Sequence, residues 1–282
     1  MEGKKPVSLS SREYKVMLHA ERFVGDKAAC RSAVERFWQH VGTVLQATDI
    51  DTRAGLDVQK DNKQRNVFFL DTDEQDLYHG SDLVFRMRRP LRSRKDWKAT
   101  LKFRHGDRLL AEAQDFDLRK RGGDEPKFEE DVKVNPPVGT PRFWALFSRS
   151  VEAEFDPQHM PATVGECLAP YTEIRKAPLP APATPVQTVA GLHVVEHVYE
   201  DGWIRLSQAV EAECALILWW KEGELLKPIA AEFSFRFPLQ DGEADIKVAR
   251  RAWAALKTLF ASPWVDPAGP TKTALAYGSA EV

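Results

Sequence analysis

The sequence predicts an α+β protein built around an antiparallel β-sheet that closes into a barrel of about eight strands, with helices on its flanks. Three observations predict it. Stretches such as KATLKFR (Lys98 to Arg104) and EFSFRF (Glu232 to Phe237) alternate strictly, so apolar and charged side chains fall on opposite faces of an extended chain. About eight to ten strand-like segments stand against about four helical ones, with none of the strand–helix alternation that builds a parallel sheet. The charged faces recur on strand after strand, as a wet barrel interior requires.

In chain order, SREYKVMLHAERF is the first strand, and Asp26 is placed to cap a helix whose Val34, Phe37, Trp38, Val41 and Leu45 recur at helical spacing. VFFLDT is a short second strand, and Thr72 to Gly80 a capped helical turn or two. LVFRMRR, WKATLKFR and KFEEDVKV follow as strands. Thr140 and Pro141 pair as N-cap and first residue of a helix carrying Phe143, Trp144 and Phe147. The proline-rich stretch 177–190 reads as a surface connection between parts of one sheet, which makes residues 1–282 a single domain. Asp201 and Gly202 predict a hairpin between HVVEHVY and WIRLSQAV. CALILWW and AEFSFRF are the last strands, before a helix from about Ala244 to Phe260 with Ile246, Ala249, Trp253, Leu256 and Phe260 in a stripe.

Composition narrows the function classes. A net charge of -2 calls for neither nucleic acid nor an anionic membrane, yet residues 86–108 hold ten Lys/Arg against two Asp, a local field that attracts anions. Cys30, Cys167 and Cys214 form no CxxC pair, so they read as buried thiols of a reducing compartment. The N-terminus lacks an apolar signal, and CALILWW spans seven residues where a membrane helix needs about twenty, which predicts a cytoplasmic protein. No phosphate-binding glycine loop, zinc-protease or serine-hydrolase motif is present. His193 and His197 lie about 13 Å apart on a strand, too far to share a metal.

A barrel lumen lined by both signs of charge is too costly to keep dry and unfilled. A polyphosphate with a divalent cation matches both halves of such a lining: Arg and Lys hold phosphoryl oxygens, and carboxylates hold Mg²⁺ or Mn²⁺ through hard oxygens. Nucleic acid fits less well, because few aromatic residues are interleaved with the basic ones.

The order of the pieces resembles the CYTH family of triphosphate tunnel metalloenzymes. SREYK matches the last two charged positions of the family's opening ExExK strand, with Ser11 in place of the first glutamate. FFLDTDEQDLYHGSDLVFRMRR, residues 68–89, is the most specific match. TLKFR resembles the TLK strand, FEEDVK the acidic strand, AEFSFRF the late glutamate strand with Ser234 where many members repeat an acid, and TKTALAY the C-terminal lysine segment. The resemblance runs from about residue 11 to 277 with a poorly matching middle at 136–210.

It implies a metal-dependent hydrolase of inorganic triphosphate, thiamine triphosphate or a nucleotide. A related branch resembles polyphosphate polymerase domains, and a catalytically weak tunnel that binds polyphosphate or nucleotide as sensor or scaffold is the alternative. Carried onto this chain, the pattern makes Glu13, Glu129, Asp131 and Glu232 candidates for Mg²⁺ or Mn²⁺. Lys15, Arg86 and Arg88 become catalytic candidates, and Lys98, Lys102, Arg236 and Lys272 candidates for substrate phosphate. Glu130 rivals Glu129 and Asp131, and Glu211 and Glu213 are weaker additions.

Overall fold

Two faces of opposite chemistry on one strand need two different environments, and the computed structural model supplies them by closing the sheet. It describes residues 8–59, 63–114, 116–120, 125–135, 142–174 and 177–278. The chain runs β1 (Ser11–Leu18), α1 (Lys27–Gln46), β2 (Thr52–Arg53), β3 (Gln64–Asp71), α2 (Asp76–Ser81), β4 (Leu83–Pro90), β5 (Trp97–His105) and α3 (Arg108–Glu112). It continues through β6 (Lys127–Asn135), β7 (Arg142–Phe155), α4 (Val164–Leu168), β8 (Gln187–Thr188), β9 (Val194–Arg205), β10 (Glu211–Lys221), β11 (Ala230–Pro238), α5 (Ile246–Phe260) and α6 (Lys272–Tyr277).

Nine strands form a closed barrel in the order β9-β10-β11-β1-β6-β7-β5-β4-β3, sealed by the β3–β9 pairing; β2 and β8 are two-residue additions to β9 and β3. Closure removes the edges that an open sheet would leave for aggregation. The barrel is mixed and not purely antiparallel, because β1 and β6 run parallel with Ser11 opposite Glu129, Glu13 opposite Asp131 and Lys15 opposite Lys133. All other barrel pairs are antiparallel. Strands on both sides of the proline-rich stretch belong to this one sheet.

Two apolar cores lie outside the barrel wall, beneath its covering elements, and a third, with Phe69, Val84 and Trp219 from the lumen side, packs against Ala276 and Tyr277 of α6. Tyr14, Phe233, Phe235 and Phe237 face outward into one core with Phe37, Trp38 and Leu45 of α1 and Leu256 of α5. Phe85, Met87 and Leu101 face a second core closed by Phe116, Cys167 and Tyr171. Asp26 caps α1 by accepting from the Ala29 amide at 2.9 Å, and at the start of α2 the Asp71 carboxylate accepts from the Leu77 amide at 2.9 Å and the Tyr78 amide at 3.0 Å. The Asp26 cap matches the sequence signal. The three cysteines are buried free thiols. No helix among the described residues is long and apolar enough to cross a membrane.

Three local expectations are corrected. Residues 142–155 form the strand β7, where a helix was expected; Thr140 and Pro141 lie outside the described residues. Phe143 packs edge-on against Trp253 at 4.6 Å and Phe260 at 5.9 Å on the outer face, while Trp144, on the other face, meets Lys133 Nζ at 5.7 Å. In α5 the buried stripe is Val248, Ala252, Ala255, Leu256 and Leu259, while Ile246 is exposed at the first turn. Asp201 and Gly202 make no hairpin; β9 passes through them, and one extra residue opposite Cys214–Leu216 makes a bulge with Asp201 at φ 76°.

Gly202 answers a packing demand, since a Cβ there would sit 2.8 Å from Trp38 Cη2. The indole cannot swing aside freely, because its Nε1 donates to the Ala54 carbonyl at 2.9 Å. Gly202→Ala is expected to destabilise the fold by about 1–3 kcal/mol, read as a lower denaturant midpoint at unchanged slope. A midpoint equal to wild type would show that the contact relaxes without cost.

Candidate functional site

Strand alternation sends one side-chain set from each of the nine barrel strands inward, where they line a cavity of about 330 Å³. Among the described residues ten Lys/Arg and eight Asp/Glu line it, so cations exceed anions. One end gathers Glu129, Glu200, Glu213 and Arg236. The other is covered by the segment after α5, which bonds back through the Asp266 amide to the Met17 carbonyl at 2.9 Å and delivers α6.

The parallel β1–β6 pair sets the acidic side. Glu13 and Asp131 are register partners, and Lys15 bridges them at 2.9 Å and 3.2 Å. Asp131 also meets Lys102 at 3.6 Å and Arg104 at 3.8 Å. Burial alone would raise the Asp131 carboxyl, but Lys102, Lys15 and Arg104 outweigh it and hold the group well below the usual carboxylate range. Glu13 is lowered as well, the Lys15 charge overcoming its burial. For Lys15, burial is overcome by Asp131, Glu13 and Glu232, which raise the ammonium above its ordinary value.

The cationic side is less balanced. β4 presents Arg86 and Arg88, and β3 presents Arg65 beside them. Arg88 pairs with Glu152, and Arg65 pairs with Glu196 at 3.0 Å. Arg86 lies within ion-pair distance of no carboxylate among the described residues, and its contact to Thr100 Oγ1 is long at 3.4 Å. Its Nε is sealed from solvent without a hydrogen-bond partner. Burial, followed by the like charge of Arg88, pushes its pKa below the ordinary arginine value. Lys102 is lowered chiefly by burial, against the pull of Asp131.

Of the residues singled out from sequence, Glu13, Lys15, Arg86, Arg88, Lys102, Glu129, Asp131, Glu232, Arg236 and Lys272 all line this one cavity. Lys272, at the start of α6, reaches Glu232 at 2.9 Å and Glu196 at 4.0 Å. Arg236 bonds Glu213 at 3.0 Å and lies 3.7 Å from Glu129. Ser11 Oγ donates to Glu129 at 3.3 Å, so the serine anchors a carboxylate in place of adding one. Lys98 is not brought in: it lies at the barrel mouth, largely exposed and 3.9 Å from Glu152. Glu130 faces the other way, toward Arg12 at 3.3 Å. Glu211 pairs with Arg53 at 3.0 Å, outside the lining, whereas Glu213 contributes to it.

Sequence reasoning missed Arg65, Arg104, Glu152 and Glu196. Glu196 is the most consequential of these. It is 3% exposed, accepts from Trp219 Nε1 at 2.9 Å, and its pKa falls to about 2 because Lys272, Arg65 and Arg86 outweigh burial. A carboxyl that is lower in the folded state adds stability above its unfolded pKa and loses it as pH falls through the folded value. Glu196→Gln is therefore expected to cost on the order of 3 kcal/mol at pH 7. That deficit should shrink from about pH 4.5 towards about pH 2, read from urea midpoints of both proteins. A pH-independent deficit would show that the carboxylate charge plays no part.

Among the described residues no three Asp, Glu, His or Cys side chains gather closely enough to enclose a metal ion. Neither a protein-family model nor a curated protein matches this chain.

Proposed function

We propose that the lumen binds a triphosphate-bearing small molecule and hydrolyses it with Mg²⁺ or Mn²⁺, as the CYTH resemblance implies. Inorganic triphosphate, thiamine triphosphate and nucleoside triphosphates are the substrates considered. The observation that carries the reading is Arg86, a half-buried guanidinium beside Arg65 and Arg88 with no carboxylate of its own. An unpaired cation in that setting is costly, and a polyanion that brings its own oxygens relieves the cost. Arg86, Arg88, Lys102 and Arg104 then fix phosphoryl oxygens through charge-assisted hydrogen bonds.

The donor set fits a divalent cation that arrives with its substrate. Mg²⁺ is commonly held by one or two carboxylates together with substrate phosphates and water, with no all-protein cage. Glu13 and Asp131, adjacent across β1–β6, supply two such oxygen donors, and Glu232 lies on the neighbouring strand β11. The cation, when bound, would neutralise charge developing on the phosphoryl oxygens. Lys15 keeps the two carboxylates at a fixed spacing, and Lys272 holds Glu232. Hydrolysis of a phosphoric anhydride needs little beyond such positioning and charge neutralisation.

One observation favours a second reading, a tunnel that binds polyphosphate or nucleotide with weak or no turnover. Glu13, Glu129, Asp131 and Glu232 each lie within ion-pair distance of a Lys or Arg. Phosphate release from tripolyphosphate, thiamine triphosphate and ATP, with and without Mg²⁺ or Mn²⁺, together with calorimetric binding of each, separates the two. Metal-dependent release supports the hydrolase; binding without release supports the sensor. Neither binding nor release for any of the three would overturn both.

A further inference from the structure

Beside the barrel mouth lies a second cavity, bounded by the turn between β4 and β5. It shares Arg65, Arg88 and Glu152 with the lumen, so the two adjoin at these residues. Five cations and three carboxylates line it, and Glu152 is already committed to Arg88. The turn adds Arg92 and Arg94, both exposed, next to Lys95 and Lys98, also exposed. Four residues of strand separate Arg86 from Pro90, about 13 Å. The turn cations are therefore out of reach of a phosphoryl group held at Arg86.

Resting on the reading of the lumen given above, we propose that this mouth is a second anion subsite that binds the protruding part of a linear polyphosphate chain longer than three phosphoryl units. The shared residues put the mouth next to the lumen, and the excess of cations suits a ligand with charge on every unit. The lining argues against RNA as the occupant. The turn itself holds no aromatic residue; Trp97, which opens β5, has its face covered by the Arg89 guanidinium, 4.4 Å from the ring centroid. It is also 9% exposed, which leaves no platform on which a base could stack.

The test compares the full chain with an Arg92→Gln/Arg94→Gln/Lys95→Gln variant, in calorimetric titrations with tripolyphosphate, a polyphosphate of about fifteen units and a 5′-triphosphorylated oligoribonucleotide. The statistical gain from overlapping frames on a long chain is the same for both proteins and cancels in their ratio. Three exposed charge contacts amount to about a tenfold change, so the variant is expected to lose about tenfold in affinity for the long chain. Tripolyphosphate affinity should change less than twofold, and the long chain's salt dependence should become shallower. Lys98→Gln, at the same mouth, should show a smaller loss of the same kind.

An unchanged ratio of long-chain to tripolyphosphate affinity overturns the subsite and leaves the lumen reading standing. A larger loss for the oligoribonucleotide than for polyphosphate overturns the ligand class. Failure of wild type to bind tripolyphosphate and the long chain overturns this proposal, and the lumen reading falls with it if thiamine triphosphate and ATP fail as well.

Discussion

Arg86→Met is expected to abolish tripolyphosphate binding and to make the unliganded protein more stable. Both effects come from the same fact: in the free barrel Arg86 has Thr100 at 3.4 Å and like-charged neighbours, but no carboxylate within ion-pair distance among the described residues. An apolar side chain of similar length removes a desolvated cation and breaks no close ion pair, and Glu196 and Glu152, which also feel the Arg86 charge, keep Arg65 and Arg88 as their direct partners. A gain of about 1 kcal/mol would raise the melting temperature by roughly 2–4 °C in a chain of this size. In the complex the same guanidinium would form about two charge-assisted hydrogen bonds at ~1.5–3 kcal/mol each. Their loss weakens binding by about a hundredfold or more. Calorimetry and thermal melts on one preparation read both. Lower stability with unchanged binding would mean that Arg86 serves the fold and that the lumen holds its anion elsewhere.

That residue was legible in the sequence because its strand is simple. From Phe85 to Arg88 apolar and basic positions alternate, and in KATLKFR of β5 and EFSFRF of β11 apolar positions alternate with polar or charged ones. Strands with mixed neighbours hid their inward side. Phe143, Trp144 and Phe147 are spaced as a helical stripe would be, although the continuation SRSVEAEF alternates and carries Glu152 into the lumen. Glu196 sits among VVEHVY, a run in which both faces are buried, one by the helical layer and one by the cations of the lumen. A run apolar on both sides gives no period to read. Arg65 precedes the apolar part of β3 and so lay outside the strand as drawn from VFFLDT. The parallel β1–β6 register joins residues more than a hundred positions apart, and nothing local announces it. The outer-face aromatics and the Asp26 cap were readable because their causes are local. Which acid meets which base is a property of barrel closure.

Asp131→Asn tests the pairing that closure creates. One carboxylate, 3% exposed, faces Lys15 at 3.2 Å, Lys102 at 3.6 Å and Arg104 at 3.8 Å. Asparagine keeps the shape and removes the charge, so three cations lose a shared counter-ion in a site already rich in positive charge. Removing one partner of a buried pair costs about 3–5 kcal/mol, and a loss in that range is expected in urea. Tripolyphosphate without divalent cation should restore more stability to the variant than to wild type, because the anion then replaces the missing carboxylate. Saturation at a hundred times the dissociation constant contributes about 2.7 kcal/mol by mass action, and tighter binding raises that figure at fixed ligand. With Mg²⁺ or Mn²⁺ present the order should reverse, since the variant has lost one of two adjacent carboxylates and with it an anionic ligand. A variant as stable as wild type would show that Lys15, Lys102 and Arg104 are balanced by other groups. Equal rescue of both proteins by tripolyphosphate would separate Asp131 from the anion site, even if the barrel stands as described.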